Sequence, residues 1–221
     1  MRAVIAGASG LVGSHILPLL LAEPAYGEVI ALVRRPLAVQ HSKLEQRVVD
    51  FSELTEENVA GADKVFSALG TTAANAGTKE KQRTVDYVYP LELGRVCRAA
   101  GARNYLLVSA AGVSAGSRVF YSRLKGELER DLEGLEYPAL TIARPSLILG
   151  ERAEQRWAEG LSKAVMPWAV DPLLWGGWRR YHSISAEMIA RALVARSLAD
   201  FSGVEILEYD GMMAAARTWA R

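Results

Sequence analysis

The residues RAVIA (2–6), followed at once by GASGLVG (7–13), constrain this chain more than any other stretch. RAVIA reads as a short buried strand, the glycines at 7, 10 and 13 as a turn, and the apolar pattern running to about Ala22 as a helix. Glycine lets such a turn adopt positive φ, lets backbone amides approach a pyrophosphate, and lets helix and strand pack closely. The helix N-terminus attracts the anion. The spacing is GxxGxxG rather than the commoner GxGxxG. A bare glycine triplet is also compatible with a tight turn that binds nothing; between a strand and a helix it points to a dinucleotide.

The alternation continues. EVIALV, Gln46 to Val49, Asp63 to Ala68, Asn104 to Val108 and PALTIA read as strands. Between them fall a short helix from Leu54 to Val59, a long amphipathic helix from about Glu80 to Ala100 closed by Gly101, and a helix on YSRLKGELERDLEGL. Strands and helices at this spacing imply right-handed crossovers. The expected fold is α/β, a Rossmann-type doubly wound, mostly parallel sheet with helices on both faces. One domain spanning 1–221 is expected, with 1–149 as cofactor-binding core and 150–221 as a small irregular substrate-side segment with C-terminal elements. From Gly150 to about Tyr181 the alternation fails, and Trp157, Trp168, Trp175 and Trp178 cluster there. That stretch is read as lining the substrate pocket, closing over it, completing the core or joining two subunits of a homodimer. Beyond it come a helix over Ser183 to Leu198, capped by Ser185 with Glu187 in its first turn, a last strand at VEILEY and a short helix.

A chain of 221 residues suits one well-packed core. With 26 Lys+Arg against 25 Asp+Glu, nothing advertises a polyanionic partner, so no nucleic acid is expected. The apolar run around Ile16 to Leu21 is short and interrupted by Pro18, so no membrane association is expected either. The single Cys97 cannot form an internal disulfide, and the chain opens on a strand rather than a leader-like segment. Together these give the expectation of a cytoplasmic protein. His15, His41 and His182 are scattered, so no metal site is expected.

Cofactor choice rests on the end of the second strand. An acidic residue there would accept the ribose hydroxyls of NAD, whereas this chain has Arg34 and Arg35, which suit the 2′-phosphate of NADP through bidentate hydrogen bonds. NADPH is therefore expected over NAD. Asp50, after the third strand, is placed near the adenine or else on a surface loop. In YSRLK, Tyr121 and Lys125 lie one helical turn apart on one face. A tyrosine with an ordinary pKa of about 10 is protonated at neutral pH, and a nearby ammonium favours its phenolate. Tyr121 is then positioned to exchange a proton with a substrate oxygen while a nicotinamide exchanges a hydride, and Lys125 to hold the nicotinamide ribose. Ser109, at the end of its strand, is expected at the substrate oxygen, or else bonded to local backbone.

Taken together, GASGLVG, LVRRP, SALGTT, the helix around Asp86 and Tyr87, LLVSA, YSRLKGELE and ARPSLILGER resemble the atypical short-chain dehydrogenase/reductase superfamily. Within it they are most similar to the Tat-interacting-protein-like oxidoreductases. The resemblance covers roughly the first 150 residues well. It implies NADPH held by Ser9, Gly10, Leu11 and Val12 at the turn, by Arg34 and Arg35 at the ribose phosphate, and by Leu69 and Gly70 after the fourth strand. Tyr121 and Lys125 are implied as the active pair. The chain departs from the family pattern at Ala110, where many members carry a second serine, so Ser109 or Ser114 fills the serine role. The leading reading is an NADPH-dependent oxidoreductase acting on a small carbonyl or alcohol. Two others stay open: an NADPH-binding regulatory protein with little or no catalysis, and a nucleotide-sugar epimerase or dehydratase.

Overall fold

The computed structural model describes residues 1–149 and 176–219. It opens with β1 (Arg2–Ala6), α1 (Gly13–Ala22), β2 (Glu28–Val33) and β3 (Leu44–Val48), the last starting two residues before its expected position. A 3-10 turn at Glu56–Val59 leads to β4 (Lys64–Ser67). Short α2 (Ala73–Ala76) and α3 (Lys79–Arg83) run through a π-helical turn, Thr84–Val88, into α4 (Tyr89–Ala99). Then follow β5 (Asn104–Val108), α5 (Phe120–Glu133), β6 (Ala139–Ala143), the two-residue β7 (Ile148–Leu149), a 3-10 segment at Gly176–Tyr181 and β8 (Ile184–Ser185). The chain ends with α6 (Ala186–Leu198), β9 (Gly203–Leu207) and α7 (Tyr209–Thr218).

Seven strands form one parallel sheet in the order β3-β2-β1-β4-β5-β6-β9. β1 and β2 are buried almost end to end because both faces are covered, which is why their sequences are unbroken apolar runs. One face packs against α1, α6 and α7, with Ile5, Ile16, Leu20 and Leu193 at its centre; the other packs against α4 and α5 around Tyr105, Leu107 and Leu128. The architecture is the expected Rossmann-like α/β fold. Strand order reverses between β1 and β4, and the carboxyl ends of those strands open the crevice where such sheets take their ligands. The C-terminal elements are part of this body: β9 extends the sheet beside β6, and the Ser185 hydroxyl caps α6 by accepting from the Met188 N–H at 3.2 Å.

The long helix expected from Glu80 to Ala100 is interrupted by the π turn. Pro90 supplies a reason: it has no N–H to give the carbonyl four residues back, and widening the preceding turn absorbs the mismatch. The widened turn leaves Asp86 buried, with 1% of its surface exposed.

Candidate active site

The glycine turn is held by close backbone packing. Gly7 has φ +87°, and a Cβ there would lie 2.5 Å from the Ala68 carbonyl oxygen; one at Gly13 would lie 2.1 Å from that of Gly7. Neither position accepts a side chain. Gly10 donates its N–H to the Gly7 carbonyl at 2.9 Å. The side chain of Val12 is buried and Leu11 packs against the same core, so only their backbone is offered to the crevice. A pocket at the carboxyl ends of β1, β2 and β4 is walled by Gly7–Gly10, Arg34, Phe51, Leu69, Gly70 and Tyr89. Arg34 and Arg35 are exposed, and neither guanidinium is hydrogen-bonded or ion-paired among the described residues. Gln46 fastens the loop that follows them, accepting from the Leu37 N–H at 2.7 Å and donating to the carbonyl of Val39 at 2.8 Å. A glycine-lined cradle with the Arg34 guanidinium on its wall fits a dinucleotide.

Asp50 lies exposed just past β3. Its carboxylate closes a turn, accepting from the N–H of Ser52 at 2.9 Å and from its hydroxyl at 2.6 Å, which holds the carboxyl below its usual range. The pocket wall at that point is Phe51, whose ring lies 5.5 Å from that of Tyr89.

Helix α5 carries Tyr121, 38% exposed, and Lys125, 2% exposed. The Lys125 ammonium lies 3.1 Å from Asp86 Oδ1, with both side chains out of solvent. The same carboxylate faces the Thr71 N–H at 3.4 Å, and a Cβ on Gly70 would stand 3.3 Å from it. Asp86 thus joins α5 to the loop that walls the pocket. This changes the expected electrostatics. Burial of the phenol, then the negative charge of Asp86, pushes the Tyr121 pKa up to about 12. Lys125 was expected to favour the phenolate, but its charge is taken up by Asp86.

Ser109 directly follows β5. It is buried, and its hydroxyl donates to Glu129, which in turn binds the Arg144 guanidinium through Nη2 at 2.5 Å and Nε at 3.1 Å. The hydroxyl therefore joins a buried ion network tying α5 to the end of β6. Ser114 is exposed in the loop ahead of α5, its Oγ accepting from the Gly116 N–H at 3.3 Å. That loop is pressed against α5 at Gly126, where a Cβ would lie 2.3 Å from Ala115 N. A mid-helix glycine costs about 1 kcal/mol against alanine, and this contact explains its presence.

Trp157, Trp168 and Trp175 lie outside the described residues. Trp178 is exposed, its ring 5.8 Å from that of Tyr181. His182 is a loop residue whose carbonyl accepts from Ser146 and whose ring lies 4.9 Å from that of Tyr209. Among the described residues there is no cluster of three or more His, Cys, Asp or Glu side chains able to hold a metal, and no helix long and apolar enough to cross a membrane.

A family model described as NAD(P)H-binding matches residues 7–137, from the glycine turn to the turn between α5 and β6. The chain is 40% identical over 166 residues to the mitochondrial protein FMP52 of Eremothecium gossypii, covering 75% of this chain and 74% of that one. This chain belongs to the NAD(P)H-binding family. A second FMP52, from Aspergillus fumigatus, is 36% identical over 207 residues, 89% of this chain and 87% of the relative. In fold, this NAD(P)H-binding protein is similar to the UDP-N-acetylglucosamine 4-epimerase of Methanobrevibacter ruminantium, with a TM-score of 0.68 at 17% identity, covering 94% of this chain and 76% of that one. That likeness is one of fold. The cytoplasmic expectation is corrected: the FMP52 relatives are mitochondrial by name. A lone buried thiol suits any reducing compartment and never distinguished the cytosol from another.

Proposed function

We propose that this NAD(P)H-binding protein is an NADPH-dependent oxidoreductase acting on a small carbonyl or alcohol, nearest in kind to the Tat-interacting-protein-like oxidoreductases. One observation carries the reading: the Lys125–Asp86 pair links the helix bearing Tyr121 to Gly70 and Thr71 on the rim of the glycine-turn pocket. NADPH held there supplies the hydride. Arg34 and Arg35 bind its 2′-phosphate, and the amides of the glycine turn bind its pyrophosphate. Tyr121 keeps its proton at neutral pH, so it donates to the oxygen of a carbonyl as negative charge develops there. Lys125, fixed by Asp86 at 3.1 Å, would orient the nicotinamide ribose.

Calorimetric binding of NADPH and NADH to wild type and Arg34→Ala, with a carbonyl screen of wild type and Tyr121→Phe, tests this. Arg34→Ala should weaken NADPH by roughly 10- to 100-fold, the worth of a charge-assisted hydrogen bond, while leaving NADH nearly unchanged. Tyr121→Phe should bind NADPH normally and lose turnover. Equal losses for both cofactors would remove the 2′-phosphate assignment, and full turnover in Tyr121→Phe would remove the tyrosine from the chemistry. The commitment of Ser109 to Glu129 favours a second reading, an NADPH-binding regulator, which saturable binding with no turnover on any carbonyl would support.

A further inference from the structure

The loops that leave β5 and β6 lie at the same end of the sheet as the glycine-turn pocket, the end where open α/β sheets take their ligands. The two are joined where the Ala111 N–H donates to the Pro145 carbonyl at 2.8 Å. The segment Gly176–Tyr181 is fastened beside them, because the His182 carbonyl accepts from Ser146 and the Ile184 N–H donates to the Leu147 carbonyl at 3.0 Å. This sets the Tyr181 phenol against Gly112. A Cβ on Gly112 would stand 3.2 Å from the Tyr181 hydroxyl, and the φ of +69° there also favours glycine. The Gly112 carbonyl in turn accepts from the Ser122 hydroxyl at 3.0 Å, and Ser122 follows Tyr121 in the first turn of α5. The phenol ring is braced: Trp178 lies 5.8 Å from it and the Arg180 guanidinium 5.0 Å above it. Its oxygen is not. Tyr181 is half-buried, yet its hydroxyl makes no hydrogen bond among the described residues and keeps surface accessible to solvent. A hydroxyl has one hydrogen to donate, and that of Ser109 goes to Glu129.

We infer that Tyr181 is a substrate-binding residue, its hydroxyl donating to the substrate oxygen from the side of the β5 and β6 loops while Tyr121 meets the same substrate from α5. This rests on the oxidoreductase reading and adds a second donor to it. A carbonyl oxygen carries two lone pairs, so two hydroxyls can hold it at once, and a planar group held from two directions is oriented as well as bound. Gly112 is what lets the phenol come this close to the loop.

The test is 19F NMR of the full chain with its eight tyrosines replaced by 3-fluorotyrosine, saturated with NADP⁺ and titrated with acetophenone and with diacetyl. With no hydride to transfer, the carbonyl binds without reacting. The two resonances are assigned by their loss in Tyr121→Phe and Tyr181→Phe. Both should shift saturably, with one midpoint, for at least one of the two compounds. Tyr181→Phe keeps the ring beside Trp178 and should weaken that compound by about three- to tenfold, the range for one neutral hydrogen bond, with NADPH affinity and the thermal midpoint unchanged. A saturable shift of Tyr121 without Tyr181, or of Tyr181 without Tyr121, would overturn the inference, as would an unchanged affinity in Tyr181→Phe. An equal loss of NADPH affinity in that variant would make Tyr181 a packing residue and overturn it too. In each of these cases a responding Tyr121 leaves the oxidoreductase reading standing, whereas silence at both resonances with both compounds would remove the two together.

Discussion

Replacing Asp86 with asparagine removes one charge and almost no volume, and so isolates the link between α5 and the loop at Gly70 and Thr71. At 3.1 Å and an effective dielectric of about 20, the attraction between Asp86 and Lys125 is about 5 kcal/mol. Much of that offsets the cost of burying both groups, but deleting one partner strands the other charge out of water, a change that typically costs about 3–5 kcal/mol. The amide adds a local conflict. Both Lys125 and the Thr71 N–H donate toward the Asp86 carboxylate, and an asparagine has one oxygen with which to accept. Chemical denaturation of Asp86→Asn should therefore show a loss in that range, and thermal unfolding a fall in Tm on the order of 10 °C for a chain of this size. Asp86→Asn combined with Lys125→Met should be less destabilised than the two single losses added, with a coupling of about 2 kcal/mol or more, because the pair then leaves together. With the acid gone, Tyr121 should also become more acidic, since Asp86 is one of the two causes holding its proton. A loss under about 1 kcal/mol, the figure for an exposed pair, with no coupling in the double variant, would refute the reasoning.

Two further outcomes follow from the same geometry. In the cofactor-free protein, the phenolate absorbance that disappears in Tyr121→Phe should develop only around pH 12, whereas a midpoint at or below about pH 10 would show the phenol to be unshifted. Because the folded state keeps this proton where the unfolded chain has lost it, the same group should ease unfolding as pH rises from about 10 through 12. Gly126→Ala, which elsewhere in a helix would be neutral or stabilising, should here cost about 1–3 kcal/mol in denaturant unfolding and disturb the loop carrying Ser114, because the added methyl would stand 2.3 Å from Ala115 N; unchanged stability would mean that helix and loop separate freely.

Much of the fold is legible along the chain because its determinants are local. Apolar runs too continuous for a half-exposed strand announced β1 and β2, helical periodicity announced α5, and the Ser185 cap announced the start of α6. The glycine turn was legible for the same reason, since Gly7 and Gly13 answer to backbone crowding a few residues wide, although the Ala68 carbonyl that completes it comes from another strand. The candidate site was legible only as a set of residue types. Tyr121, Lys125, Arg34 and Arg35 could be named, but their electrostatic state could not.

Sequence by itself determined a parallel α/β chain with a dinucleotide turn, a basic end to its second strand and a tyrosine and lysine one helical turn apart. Tertiary structure alone decided which charge answers which. Asp86 reaches Lys125 because a proline downstream widens one turn of the preceding helix, and Ser109 turns to Glu129 because α5 settles on the sheet with that carboxylate inward. Both are contacts between distant parts of the chain, fixed when helices dock and buried charges must find partners, and nothing in the local periodicity of either residue encodes them.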